Sequence, residues 1–314
     1  SNAALSQNNA LKQLQAHQQQ KQAAAVAARG AASAAPVPAP RSVSDYLGFA
    51  PISPAEAAAP SPPNEDIVNS FNYIVNNLSA PTIQKQVQAA KPLVVPESCS
   101  WIAHFLVTGR VATQPKYHNA IFGFVVGIKD PLLTREVLRY SYLMSRELLL
   151  SEAVIEDTAQ RTKLKNLGAW LGKMTLKRDK PVLFRHMDLK QLLYGAYESG
   201  RLIAAIPFIT KVLDGVKESR VFMPPNPWTM AHLSALKEIY ELKDLKMFLQ
   251  FEVEQLCSNL SINIADIPRA DHLKNCTPPR VPSSGDFKTD VSASQRATAA
   301  EPGVSGPVSL AGIK

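Results

Sequence analysis

The chain has 314 residues, 46% of them apolar, with a formal charge of +8, 24 prolines and three cysteines. Its length admits two domains, but the prolines lie mostly outside the middle, which predicts one folded domain with polar flanks. Cys99, Cys257 and Cys276 are far apart and lack metal-ligand spacing, which excludes a disulfide framework and points to a reducing compartment without structural zinc.

Residues 1–63 are rich in Ala, Gln and Pro and are expected to be disordered. Residues 10–28 have high helix propensity but a weak apolar stripe, so no packed helix is expected there. From 36 to 63 the repeated Pro, Ala and Ser predict an extended, mobile segment. Tyr46-Leu47-Gly48-Phe49 is the one apolar cluster within it, either a chance cluster in a linker or a short docking motif.

Residues 64–270 read as successive amphipathic helices. Ile67, Phe71, Ile74, Val75 and Leu78 form one stripe behind Asn64, a residue suited to cap a helix start. Pro81, Pro96, Pro115 and Pro131 then open four more helices, since proline suits the first helical position. A sixth helix is expected from about Thr158 to Leu176. A seventh runs from Asp188 to Ser199 and stops at Gly200. The eighth carries Ile203, Ile206, Phe208, Ile209 and Val212, with Pro207 starting or kinking it. The ninth follows Pro227, and the tenth runs from Asp244 to about Leu260. About ten helices of ordinary length, joined by short loops, predict an all-α domain. Stacked antiparallel hairpins in an α-solenoid are favoured over a single bundle. Residues 271–314 are polar and proline-rich and are expected to be disordered.

No motif carries chemistry. There is no phosphate-binding loop, nucleophile elbow or zinc-protease signature. The six histidines are scattered and the acid pairs read as ordinary helix surface, so no catalytic residue, cofactor or metal site is expected. No apolar run is long enough to cross a bilayer, and no membrane contact is expected. Without an initiator methionine or a signal segment, the chain reads as a piece of something longer.

Three features stand out. Arg161, Lys163, Lys165, Lys173, Lys177, Arg178, Lys180 and Arg185 share their stretch with a single acid, Asp179. They form either a solvated face or a patch for an acidic protein or phosphates. Within that stretch Leu164, Leu167, Leu171 and Met174 define a buried face, while Trp170 lies on a second stripe with Lys163, Asn166, Lys173 and Lys177. Trp170 is therefore either at the core edge or a binding anchor. Gly168 and Gly172, four apart, call for a closely approaching backbone, which the next helix should supply. Finally, the prolines of 222–230 predict a stiff loop that ends the eighth helix, with Trp228 expected in the core near the next helix start or the rigid loop serving as a contact surface.

An ordered set of segments gives the chain a family resemblance. LKNLGAWLG at 164–172, Thr175-Leu176, KPVL at 180–183 and PPNPWTMA at 224–231 come in that order. NNLS at 76–79, Val212-Leu213 and FEVEQLCSNL at 251–260 support them. Together they resemble the MIF4G domain of the largest, scaffold subunit of the CCR–NOT deadenylase complex, over about 65–267. The resemblance implies five HEAT-like helical hairpins and no catalytic residue. It implies two main partners, a DEDD-type poly(A)-specific nuclease and a DEAD-box helicase that represses translation and promotes decapping. Other subunits of the complex would bind the rest of the longer chain.

By the same resemblance the nuclease surface should involve Phe105, Thr108, Gly109, Arg110 and Val111, and the helicase surface Lys165, Ala169, Trp170 and Lys173. Thr108 stands where the family tends to a larger apolar residue, and Ala169 where the animal pattern has histidine. The implied function is to hold nuclease and helicase on one mRNA, raising their effective concentration. The implied setting is the cytoplasm with its mRNP granules, and also the nucleus. Direct RNA binding through the basic 161–185 stretch is the alternative, and would show as steeply salt-dependent affinity.

Overall fold

The computed structural model describes residues 41–277 and 285–288. Its contacts divide after Ser42, and the second unit begins at Val43. Two short helices come first, α1 (Val43–Leu47) and α2 (Pro54–Ala57). Asn64 then caps α3 (Glu65–Asn76), accepting from the Ile67 N–H at 2.9 Å. Helix α4 (Ile83–Ala90) starts two residues after Pro81, because Thr82 closes a turn first. Its hydroxyl accepts from Ser79 N–H and donates to the Asn77 carbonyl.

Pro96 is the first residue of α5 (Pro96–Leu106), which runs directly into a π-helical turn, Val107–Val111. Pro115 opens a 3₁₀ turn leading into α6 (His118–Ile128), and Pro131 opens α7 (Pro131–Leu150) behind an Asp130 cap. A short α8 (Ala153–Glu156) precedes α9 (Thr158–Met174). Asp188 caps α10 (Leu189–Ser199), which ends on left-handed Gly200 at φ 70°. Helix α11 (Leu202–Leu213) runs through Pro207 and passes into a 3₁₀ turn, Asp214–Glu218. That turn, and not the proline loop, ends the helix. Helices α12 (Pro227–Tyr240) and α13 (Met247–Asn259) are the last α-helices among the described residues.

Helices α5, α7, α9, α11 and α13 neighbour one another in that order, while α4 lies against α6 and α10 against α12. Hairpin partners α3–α4, α10–α11 and α12–α13 also touch. This is the all-α, solenoid-like stacking expected from periodicity and loop length. Two apolar clusters result, and α9 belongs to both. Leu164 and Leu171 enter the C-terminal cluster, whereas Leu167, Trp170 and Met174 enter the N-terminal one.

The glycines of α9 explain how it sits so close to α11. A Cβ at Gly168 would lie 2.6 Å from the Phe208 carbonyl oxygen, and one at Gly172 would lie 2.3 Å from that of Val212. A close backbone is present, as the Gly spacing required, but it is that of the eighth predicted helix and not of the next one, the seventh.

Both flanks depart from the expected disorder where they are described. Leu47 and Phe49 are buried, and Tyr46 lays its carbonyl on Gly195 of α10, where an added Cβ would sit 1.8 Å away. Gln191 Nε2 donates to the same carbonyl at 2.9 Å. The Tyr46-Leu47-Gly48-Phe49 cluster is therefore an intramolecular anchor, and the domain begins before residue 64. Its low-complexity surroundings hid two large apolar side chains sufficient to dock it.

At the other end Glu238 is buried and accepts from Tyr194 Oη and from the His272 and Leu273 N–H groups. Asp286 is fully buried and accepts from the Leu202 and Ile203 N–H groups at 3.0 and 2.7 Å. It supplies the start of α11 with acceptors that Arg201 at the cap position cannot. Burial pushes the Asp286 carboxyl up to about 6. The readings for residues 1–40, 278–284 and 289–314 lie outside the described residues.

Two predictions follow from packing. Gly172→Ala gains about 1 kcal/mol of helix propensity, but overpacking against a backbone carbonyl costs about 1–3 kcal/mol. Thermal denaturation should therefore show a lower Tm, whereas Gly109→Ala, with nothing within 4 Å of the new methyl, should leave Tm unchanged or raised. Leu47→Ala should cost about 2–4 kcal/mol and increase amide exchange along α1 in hydrogen-exchange measurements.

Candidate docking surfaces

The first predicted surface forms where α5 gives way to the π-helical turn, a local irregularity common at functional positions. Phe105 is half-buried. It stacks on Trp101, with centroids 5.3 Å apart and planes at 20°, and meets Phe71 edge-on. Thr108 donates to the His104 carbonyl at 2.8 Å, and Gly109 is exposed. Arg110 reaches across to Asn76 at the end of α3 and to Gln114. Val111 is fully buried, so its contribution is through its carbonyl, which meets His118 Nε2 at 2.8 Å. Phe105, Thr108, Gly109 and Arg110 thus stay together on one surface, while the Val111 side chain does not join them.

Sequence reasoning missed Trp101 and Asn76 here. The spacing of 101, 105 and 108 is that of a single helix face and could have found the tryptophan. The Asn76 contact comes from packing α3 beside α5 and has no local signal.

The second predicted surface is corrected more deeply. Trp170 is fully buried and edge-on to His118 at 5.6 Å, so it cannot act as a contact anchor. The reason is the double role of α9. With a cluster on either side, its second stripe faces α6 and not solvent. Asn166, on that stripe, donates to the Ala112 carbonyl at 2.8 Å. Lys165, Ala169 and Lys173 remain half-exposed. Lys165 pairs with Glu252 of α13, and Lys173 donates to Asn119 at 2.8 Å. Burial, then repulsion from Lys177, pulls the Lys173 ammonium below its ordinary value. Trp228, expected in the core, is only partly buried, packed against Phe222 and His232.

The basic stretch does not form one patch. Lys177 is matched by Glu218, Lys165 by Glu252, and Arg161 folds onto the Val154 and Ile155 carbonyls. Asp179, the one acid within it, accepts from Ser219 Oγ and from the Arg220 and Val221 N–H groups. Lys180 and Arg185 line a groove with α7. Among the described residues, no group of three or more His, Cys, Asp or Glu side chains could hold a metal ion. No helix among them is long and apolar enough to cross a membrane.

An all-helical unit with an aromatic ledge at a helix end has the makings of a docking module. Known proteins agree with that class. Residues 59–281 match the family described as the CCR4-NOT transcription complex subunit 1 CAF1-binding domain. General negative regulator of transcription subunit 1 of Schizosaccharomyces pombe is 31% identical over 211 residues, 67% of this chain and 10% of that protein. The Saccharomyces cerevisiae protein of the same name is 32% identical over 198 residues, 63% of this chain and 9% of its own length. Caenorhabditis elegans CCR4-NOT transcription complex subunit let-711 is 31% identical over 229 residues, 70% of this chain and 9% of its own. The chain belongs to the CCR4-NOT subunit 1 CAF1-binding domain family, and spans about a tenth of the length of these relatives. That family is a domain of a scaffold subunit and not an enzyme.

The floor beneath the first surface makes it sensitive to acid. Burial is the main cause holding the His118 imidazolium below its ordinary value, partly offset by the Val111 carbonyl. The folded chain therefore keeps His118 neutral at pH values where the unfolded chain protonates, starting near pH 6.5. Below that point the unfolded state binds more protons and stability falls. Above it, His118 contributes no pH dependence. In a thermal denaturation series His118→Gln, which cannot titrate, should lose less Tm than the native chain between neutral pH and pH 5. The Asp286 carboxyl, raised to about 6 and acting in the opposite sense, is common to both.

Proposed function

We propose that this domain docks the CAF1-type deadenylase nuclease through the ledge made by Trp101, Phe105, Thr108, Gly109 and Arg110. The observation that carries the reading is the family match, whose description is that of a CAF1-binding domain. The half-buried Trp101–Phe105 stack supports the placement. Large flat side chains of this kind, with an arginine beside them, are the usual anchors of protein interfaces. A helicase of the DEAD-box type is the second partner, on the half-exposed Lys165, Ala169 and Lys173 edge of α9. Its role would be to couple poly(A) shortening to translational repression and decay on one mRNA.

The test is co-purification with each partner. Phe105→Ala with Arg110→Glu should lower nuclease affinity by about 2–4 kcal/mol in calorimetry, with unchanged circular dichroism and unchanged helicase binding. Lys165→Glu with Lys173→Glu should weaken helicase capture alone. Nuclease binding unaffected by the first pair would remove the ledge from the interface.

A further inference from the structure

Away from both surfaces, α7 and the 180–186 segment enclose a groove of about 690 Å³. None of the residues assigned above to nuclease or helicase lines it. Its volume falls within the roughly 300–1,000 Å³ of sites that enclose a ligand.

Its chemistry is two-sided. The floor is apolar, made by Leu138, Leu143, Pro181 and Leu183 together with Tyr142. The walls carry Arg135, Arg139, Arg146, Lys180 and Arg185. One acid, Glu56, stands among the lining residues, and Glu136 of α7 engages Arg139 at 2.9 Å and Arg135 at 3.7 Å. Even counting both carboxylates, cations are in excess. Arg146 Nε is buried and has no hydrogen-bond partner among the described residues.

The chain itself shows what the groove accepts at one end. Arg146 lies over the Phe49 ring at 5.5 Å and donates to the Ala50 carbonyl. Glu56, a few residues on, reaches the rim. A ring, a backbone carbonyl and a carboxylate thus approach the cationic wall from one short stretch of chain, 49–56, whose last residue lies in α2 and also accepts from Ser53.

We propose that this groove is a third docking site, taking an extended acidic peptide segment of a partner protein that carries aliphatic or aromatic anchors. Carboxylates would meet Arg135, Lys180 and Arg185, while the anchors settle on Leu138, Leu143 and Leu183. Arginine forks suit carboxylates, and the apolar floor gives a reason for side chains between them. A single-stranded nucleic acid fits less well. Its bases need a series of open aromatic faces, whereas Tyr142 is buried under the His186 ring at 5.2 Å and 20°, and the exposed His186 offers a single ring face among the lining residues.

The test uses the full chain and fluorescence anisotropy with a short labelled peptide alternating Glu with Leu and Phe. Three controls accompany it: the peptide with Lys for Glu, the peptide with Ser for Leu and Phe, and an oligouridine. The acidic apolar peptide should bind best, and Arg135→Glu with Arg185→Glu should weaken it about tenfold or more. Both arginines are exposed, so an unchanged melting curve is expected. Leu183→Asp should weaken binding separately through the floor. Equal binding of the Ser peptide, tighter binding of the oligouridine, or binding indifferent to these substitutions would each overturn the proposal. Nuclease and helicase capture should be unaffected by the same variants.

Discussion

The contact on which the unit depends is the bare-backbone meeting of α9 and α11. Gly168 and Gly172 lie against the carbonyls of Phe208 and Val212, and Gly215 comes back against the Gly172 carbonyl. No side chain separates the two helices at these points. Glycine in a helix interior costs about 1 kcal/mol relative to alanine, and that cost is offset by close apposition along the flanking apolar rows. Because α9 also faces α6 and α7, this one contact sets the distance between the two apolar clusters. The rest of the helical row is built outward from it.

Much of this was legible along the chain. Caps and prolines act at short range, so Asn64, Asp188, Gly200, Pro96, Pro131 and Pro227 mark element ends within a residue. The Gly-x-x-x-Gly spacing announced a close backbone, but chain order put it on the next helix, α10, where packing puts it on α11. The described parts of the flanks were misread because composition averages over a window, whereas docking needs only a few side chains. Leu47, Phe49 and Asp286 are isolated in polar sequence, yet each fills a vacancy that distant residues create. The uncapped start of α11 is invisible until Asp286 is seen beneath it.

Charge was the least legible feature, and for the same reason. A basic run in sequence has no defined field until its neighbours in space are known. Here the compensating acids, Glu218 and Glu252, come from segments 41 and 87 residues away from their partners. Meanwhile α7 contributes three arginines that were never part of the run, and these, with Lys180 and Arg185, line one cationic groove. Cations that sequence order keeps apart, on α7 and in the 180–185 segment, are thus brought to one groove.

Trp170 illustrates how a residue can matter to a docking surface without belonging to it. Its ring lies edge-on to His118, and His118 meets the Val111 carbonyl at the end of the π-helical turn. One turn earlier in α9, Asn166 holds the Ala112 carbonyl. Two residues of α9 therefore brace the turn that presents Gly109 and Arg110. Since a π turn leaves backbone carbonyls out of the regular ladder, such bracing from the neighbouring helix is what allows it to persist. Read along the sequence, the tryptophan on a lysine stripe looks like an anchor for one partner. Packed in place, it is a strut beneath the surface assigned to the other. The two surfaces consequently share a single wall, α9, whose position the glycine contact with α11 determines.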